Sequence, residues 1–217
     1  MGAYRWIAGW YDLVLEPLLA SSKARGRALF TPAAGSLVLD VGCGTGAQLA
    51  RYRGCGCRLV GVDPSPAMVA QARRSLGPDA EIHQADASAL PLDSGSVGLA
   101  LCSMALHEMG GATREAVLRE IRRVLAPDAR LLVLDYHLGR RPGWRGRVIW
   151  WGIVVAERLA GGDHYRHFRQ FMAAGGLQTF AARAGLEIET VQPLKAGNLA
   201  LYLLRPPVSE PAAGVVR

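Results

Sequence analysis

The chain has 217 residues, half of them hydrophobic and a fifth charged, the balance of one globular domain with room for an inserted segment. That excludes a disordered tail, a collagen-like fibre and a disulfide-rich miniprotein. Four cysteines without framework spacing fit a reducing compartment, and the longest apolar run, Val148 to Ala156, is too short for a bilayer span, so a cytoplasmic protein is expected.

In chain order, residues 1–35 read as a helical segment carrying Trp6 and Trp10. Ser36 to Asp40 is a short apolar run ending in an acid and then glycine, the pattern of a buried strand. Gly46 to Arg53 reads as a short helix and Arg58 to Asp63 as a second strand. A helix follows from Ser65 to Leu76, with Ser65 as N-cap and Gly77-Pro78 as its stop. Ala80 to Ala85 and Val97 to Cys102 read as strands three and four. Thr113 to Leu125 is an amphipathic helix and Arg130 to Tyr136 a fifth strand. Beyond an unusual segment (138–175) come a helix from Gly176 to Ala184 and two adjacent strands, Leu186 to Gln192 and Leu199 to Leu204. Residues 206–217 read as a loose tail. Alternating strands and helices predict an α/β fold with a doubly wound, seven-stranded sheet. It is parallel except for a C-terminal antiparallel hairpin, with the domain over 36–205 and a helical insert between strands five and six.

The glycine loop Asp40-Val-Gly42-Cys43-Gly44-Thr-Gly46 lets backbone approach a ligand closely, ahead of a helix N-terminus with free N–H groups. Gly42, Gly44 and Ala47 also satisfy a dinucleotide pattern, so the loop alone does not choose its ligand. Asp63, ending the second strand, suits a ribose diol in either case. Asp86 suits an adenine amino group. Asp40, two residues before the first glycine, is poorly placed for a pyrophosphate and suits a ligand carrying an ammonium and a sulfonium.

The segment from Val38 to Gly46 resembles motif I of class I S-adenosylmethionine-dependent methyltransferases. Gly61 to Met68, with Asp63, Pro64 and Met68, resembles their ribose motif. Ala85-Asp86-Ala87 with Leu90-Pro91 resembles the adenine motif, and Leu99 to His107, with Cys102, the fourth-strand motif facing the reactive methyl. Arg119 to Pro127 followed by Arg130 to Leu134 is similar to the ubiquinone/menaquinone-biosynthesis and related small-molecule group (methyltransferase type 11). Tyr11-Asp12 resembles an N-terminal pair whose aromatic lies over the cofactor; the competing reading is a helix aromatic in the core. The resemblance implies S-adenosylmethionine as cofactor, S-adenosylhomocysteine as product, and contacts from Tyr11, Asp40, Gly42, Cys43, Gly44, Gly46, Asp63, Pro64, Met68, Asp86, Ala87 and Cys102.

On the acceptor side, His107 sits at the C-terminal edge of the sheet, as a general base, an acceptor contact or a loop-ordering residue. Tyr136, His137, Trp150, Tyr165 and His167 are candidates to line the acceptor pocket. His164 and His167 lack an evident second pair of ligands, so no metal site is expected. Arg140, Arg141, Arg145, Arg147, Arg158, Arg166 and Arg169 crowd one stretch, against Glu157 and Asp163, together with Trp144, Trp150 and Trp151. This 140–169 segment can line a pocket for an apolar or lipid-like acceptor, pack in a homodimer, or touch a membrane surface. No RNA module accompanies the arginines, so no nucleic-acid partner is expected. Trp6, Trp10 and Tyr11 are expected to pack on the insert as a lid. Two functions stand: methyl transfer to a small acceptor such as a quinone precursor or phospholipid headgroup, or a non-catalytic cofactor-binding subunit. Asp40, Asp63 and Asp86 together favour the enzyme; a methyltransferase acting on RNA or protein is a further alternative.

Overall fold

The computed structural model describes residues 17–140 and 143–207. Seven strands form one sheet, in the order β3-β2-β1-β4-β5-β7-β6. They are β1 Leu37–Val41, β2 Arg58–Asp63, β3 Glu81–Gln84, β4 Val97–Ser103, β5 Leu125–Tyr136, β6 Glu187–Leu194 and β7 Leu199–Arg205. β1 to β5 pair in parallel, and β7 runs antiparallel to both β5 and β6. Central strands are covered on both faces, which is why β1 and β4 are almost continuously apolar and buried, whereas edge strand β6 alternates. Pro193 is tolerated because β6 is that edge. The sheet order reverses between β1 and β4, opening a crevice at the carboxyl ends of these strands.

The helices are α1 (residues 17–29), α2 Pro66–Leu76, α3 Gly111–Val124, α4 Gly143–Leu159, α5 Gly162–Ala173 and α6 Gly176–Arg183. Ser65 caps α2 as expected, its hydroxyl accepting from the Met68 N–H at 3.4 Å. α3 buries Val117, Leu118, Ile121 and Val124 on one face.

Two segments depart from the sequence reading. The predicted helix over Gly46–Arg53 is only a 3-10 turn, Leu49–Tyr52. Left-handed glycines before it (Gly42, Gly44, Gly46) and after it (Gly54) leave too few residues for α-helical nucleation. β5 begins at Leu125 rather than Arg130: Leu125 pairs with Val97 and Arg130 with Leu99, so the residues between them, Pro127 included, bulge from the ladder. In the insert, α4 and α5 are separated by a sharp break at Gly161 with φ +126°, and His164 to His167 lie within α5. The only buried residues of α4 are Gly146 and Glu157. Trp144, Val148, Trp151, Val155 and Leu159 form an exposed stripe along it.

Candidate active site

β1 delivers the glycine loop to the crevice. Gly42, Gly44 and Gly46 all have left-handed φ, and a Cβ on Gly46 would stand 2.6 Å from Leu76 Cδ1. A Cβ on Gly44 would meet nothing within 4 Å, so that backbone borders open space. The loop is tied to β2: the Gly42 and Cys43 N–H groups donate to the Val62 carbonyl at 2.8 and 3.1 Å. Gly44 N–H donates to Asp63 Oδ2, and Ser65 N–H to Oδ1, each at 2.9 Å. Each Asp63 oxygen keeps a second lone pair, which is what a vicinal diol needs. Burial holds this carboxyl above its ordinary range, although both N–H donors pull it down.

Asp40 is buried at the end of β1, in register with Gly61 and Leu101. Burial, with the charges of Asp40 and Asp63, keeps the Cys43 thiol protonated; burial, Asp135 and Asp40 do the same for Cys102, which lies wholly inside β4. Pro64 is exposed and Met68 half-buried at the start of α2. Asp86 is exposed past β3, where the Ser88 N–H donates to it at 2.8 Å and lowers its pKa; Ala87 beside it is buried. Glu120 and Arg123 of α3 hold the backbone of Leu90 and Leu92 just beyond. The donor set therefore fits S-adenosylmethionine: a carboxylate for the ribose, a turn for the adenine and a bare backbone loop between them.

A second centre stands where β4 and β5 end. A Cβ on Gly42 would lie 3.0 Å from Ala105 Cβ, so the loop after β4 abuts the glycine loop. The chain then makes a 3-10 turn, Leu106–Glu108. His107, 2% exposed, puts Nδ1 at 2.7 Å from Asp135 Oδ1. Its Nε2 lies 3.7 Å from Glu157 Oε1 and 4.0 Å from Glu108 Oε1. Tyr136 OH donates to Glu157 Oε1 at 2.6 Å, and His164 Nε2 lies 2.7 Å from Glu157 Oε2. Burial pushes the His107 pKa down, but the charge and hydrogen bond of Asp135, with Glu108 and Glu157, outweigh it and raise it to about 9. Burial likewise opposes the ionised Glu157, and His164, His107 and Tyr136 together hold it below the usual carboxylate range.

The wall of this centre is aromatic. Phe168, fully buried, has ring centroids 5.0 Å from Tyr136, 5.7 Å from Trp150 and 6.2 Å from Tyr165. Arg114 fastens the turn from below. Its Nε and Nη2 each donate at 2.6 Å, to the Leu106 and Met109 carbonyls, and its guanidinium lies 4.8 and 4.5 Å from the rings of Phe171 and Phe180.

The structure thus gathers His107, Tyr136, Trp150 and Tyr165 around one centre. His167 stands beside it, its Nδ1 2.8 Å from the Glu108 carbonyl, where it anchors the turn. It does not bring His137 there: just past the end of β5, His137 turns to β7, where its Nδ1 meets Tyr202 OH at 2.7 Å. Tyr11, Trp6 and Trp10, and the lid expected of them, lie outside the described residues. Sequence reasoning missed Asp135, Glu157, Phe168 and Arg114 as parts of the site. Asp135 had a signal, since Leu-Val-Leu-Asp135 repeats Leu-Val-Leu-Asp40. Glu157 had one too, as the lone acid of an otherwise apolar and basic helix.

A methyltransferase-domain family model matches residues 38–128. An uncharacterised methyltransferase of Synechocystis is 31% identical over 166 residues, covering 69% of this chain and 76% of that protein. The demethylmenaquinone methyltransferase of Thermus thermophilus is 34% identical over 60% of this chain and 62% of its own length. Of the curated relatives it matches, this chain spans between 43% and 76% of their length, about half in most. In fold, it is similar to a Haloferax volcanii methyltransferase solved with the activator Trm112: TM-score 0.67, 19% identity, 94% of this chain and 98% of that one covered. Glycine loop, sheet order and relatives agree, and the chain belongs to the class I S-adenosylmethionine-dependent methyltransferases.

Proposed function

We propose that this protein methylates a small, largely apolar acceptor presented at the His107 centre. The observation that carries the reading is the buried His107–Asp135 pair. It stands under an aromatic wall, at the same sheet edge as the glycine loop. When bound, S-adenosylmethionine supplies a methyl carbon already activated on a sulfonium for in-line displacement. Asp63 and the loop from Gly42 to Gly46 hold it; Asp135 fixes the ring of His107 so that Nε2 is the atom left to meet the acceptor. Tyr136, Trp150, Tyr165 and Phe168 offer an apolar acceptor surface to bury and exclude water. Alignment of this kind can supply roughly 7–11 kcal/mol of a barrier. The Thermus relative's name supports a quinone precursor, a flat apolar ring with an ionisable hydroxyl, as the acceptor class.

The test is turnover of purified protein with S-adenosylmethionine and an apolar extract of bacterial membranes. S-adenosylhomocysteine should accumulate only with the extract, and NADH should not displace it from the protein. Binding of the product without any turnover would support a non-catalytic subunit instead, and competition by NADH would return the dinucleotide reading.

The outward face of α4 supports a lipid-like acceptor. Trp144, Val148, Trp151, Val155 and Leu159 stand exposed, flanked by Arg145, Arg147 and Arg158, and the helix's one acid, Glu157, is buried. Exposed apolar side chains with arginines and no exposed acid suit an anionic lipid surface. No helix among the described residues is long and apolar enough to cross a membrane. Phosphatidylglycerol vesicles should sediment the protein, phosphatidylcholine vesicles much less, and Trp151→Glu should abolish the difference. A change of oligomeric state in that variant with vesicle binding unchanged would assign the face to a second copy of the chain.

A further inference from the structure

We propose that His107, Glu157 and His164 form a binding site for one divalent transition-metal ion, of the zinc or cobalt type. The proposal deepens the preceding reading and rests on it: His107 Nε2 would meet the acceptor's heteroatom through the ion rather than directly.

The donor set is two imidazoles and a carboxylate, and their ligand atoms lie within 4.8 Å of one another. Donors bound at the usual ~2.0–2.2 Å from one tetrahedral ion stand about 3.3–3.6 Å apart. The distances here, 2.7 Å from His164 Nε2 to Glu157 Oε2 and 3.7 Å from His107 Nε2 to Glu157 Oε1, straddle that spacing. Glu157 Oε2 is buried and makes no aligned hydrogen bond among the described residues, although His164 is close to it.

The surroundings are those of a ligand cage. Asp135 Oδ1 takes up Nδ1 of His107, which leaves Nε2 as the ligating atom and orients the ring, as the outer carboxylate of a carboxylate–histidine–metal triad does. Asp135 is itself fixed by the backbone N–H groups of Tyr136 at 2.7 Å and His107 at 3.3 Å. Tyr136 OH fixes the other oxygen of Glu157. Three carboxylates, Asp135, Glu157 and Glu108, surround two imidazoles. The ligands come from the 3-10 turn after β4, from α4 and from α5, so the insert completes the site by folding over the sheet edge. Three protein ligands leave a tetrahedral ion one open position, the arrangement of a catalytic rather than a purely structural site. An acceptor oxygen bound there would be held and made easier to ionise. Asn or Gln in place of a ligand, or loss of the Asp135 support, should be felt directly in metal affinity.

The experiment is titration of cobalt(II) into protein purified without a polyhistidine tag and stripped with chelator, followed by its visible absorption and by calorimetry. The expected result is one equivalent bound with intense ligand-field bands, absent in His164→Ala and Glu157→Gln and weakened at least ~10-fold in Asp135→Asn. His83→Ala, on strand β3, should bind as wild type. The His164 side chain is 18% exposed, against 7% for Glu157, so its variant tests the site even if Glu157→Gln fails to fold. S-adenosylhomocysteine binding is measured in the same samples. Product binding without a cobalt signal, or a signal surviving in His164→Ala, overturns the metal site and leaves the methyltransferase reading standing. A cobalt signal in protein that binds no S-adenosylhomocysteine overturns that reading instead.

Discussion

Around the glycine loop the crevice is lined chiefly by backbone, whereas around His107 five side chains from four separate elements converge. The first region is local: Asp40, the glycines and Asp63 occupy two adjacent strands and the turn between, fixed by N–H groups of Gly42, Cys43 and Gly44. The second joins His107, Asp135, Tyr136, Glu157 and His164, and it exists only because α4 and α5 fold back over β5. Backbone that binds a constant cofactor leaves a compact motif. Side chains that bind a particular acceptor need no fixed spacing.

Asp63→Ala should break the first region most severely. Two ribose hydrogen bonds to a carboxylate, at about 1.5–3 kcal/mol each, correspond to a loss of roughly 100-fold or more in calorimetric affinity for S-adenosylhomocysteine. Unchanged affinity in a folded variant would remove Asp63 from the site. Arg114→Ala should strike the second region. It removes two charge-assisted bonds to buried carbonyls and a guanidinium held between Phe171 and Phe180, so a loss of about 3 kcal/mol and a melting temperature lower by roughly 6–12 °C are expected. A shift of only a degree or two would mean the turn carrying His107 is held by other contacts.

Deleting residues 1–12, with Trp6, Trp10 and Tyr11, should weaken cofactor binding about 10-fold, or ~1.4 kcal/mol, without unfolding the sheet. Its first strand starts only at Leu37. Wild-type affinity in the truncated protein would refute the aromatic cover. The smallest effect is the pH response of Asp63. Its folded pKa is raised by burial, so the native chain holds an extra proton between the ordinary carboxylate value and the folded one. Rising pH through that window should lower Asp63's contribution to stability while raising cofactor affinity. Affinity moving the other way would exclude the ionised form as the ribose ligand.

The contrast also explains what could be read from sequence. The strands and the glycine loop were readable because buried parallel strands are apolar runs and the first two end in a marked residue, Asp40 or Asp63. The hairpin followed from the short link between the last two strands. The failures have a common cause in long-range contact. His137 and Tyr136 are neighbours in sequence, yet Tyr136 meets Glu157 of α4 and His137 meets Tyr202 of β7. Glu157 looks like a surface charge until α4 is laid against β5, where Tyr136 and His164 meet it. Arg114 looks like one more solvated helix arginine; only the fold reveals the carbonyls it gathers.

The most direct measurement is His107→Ala, read for both functions at once. S-adenosylhomocysteine affinity should stay within about 2-fold of wild type, since the cofactor is held by β1 and β2. Turnover with the apolar extract should fall by about 100-fold or more, because the group that meets the acceptor is gone. If affinity and turnover fell together and by the same factor, His107 would be an ordering residue of the pocket. The division of the site into a backbone half and a side-chain half would then be contradicted.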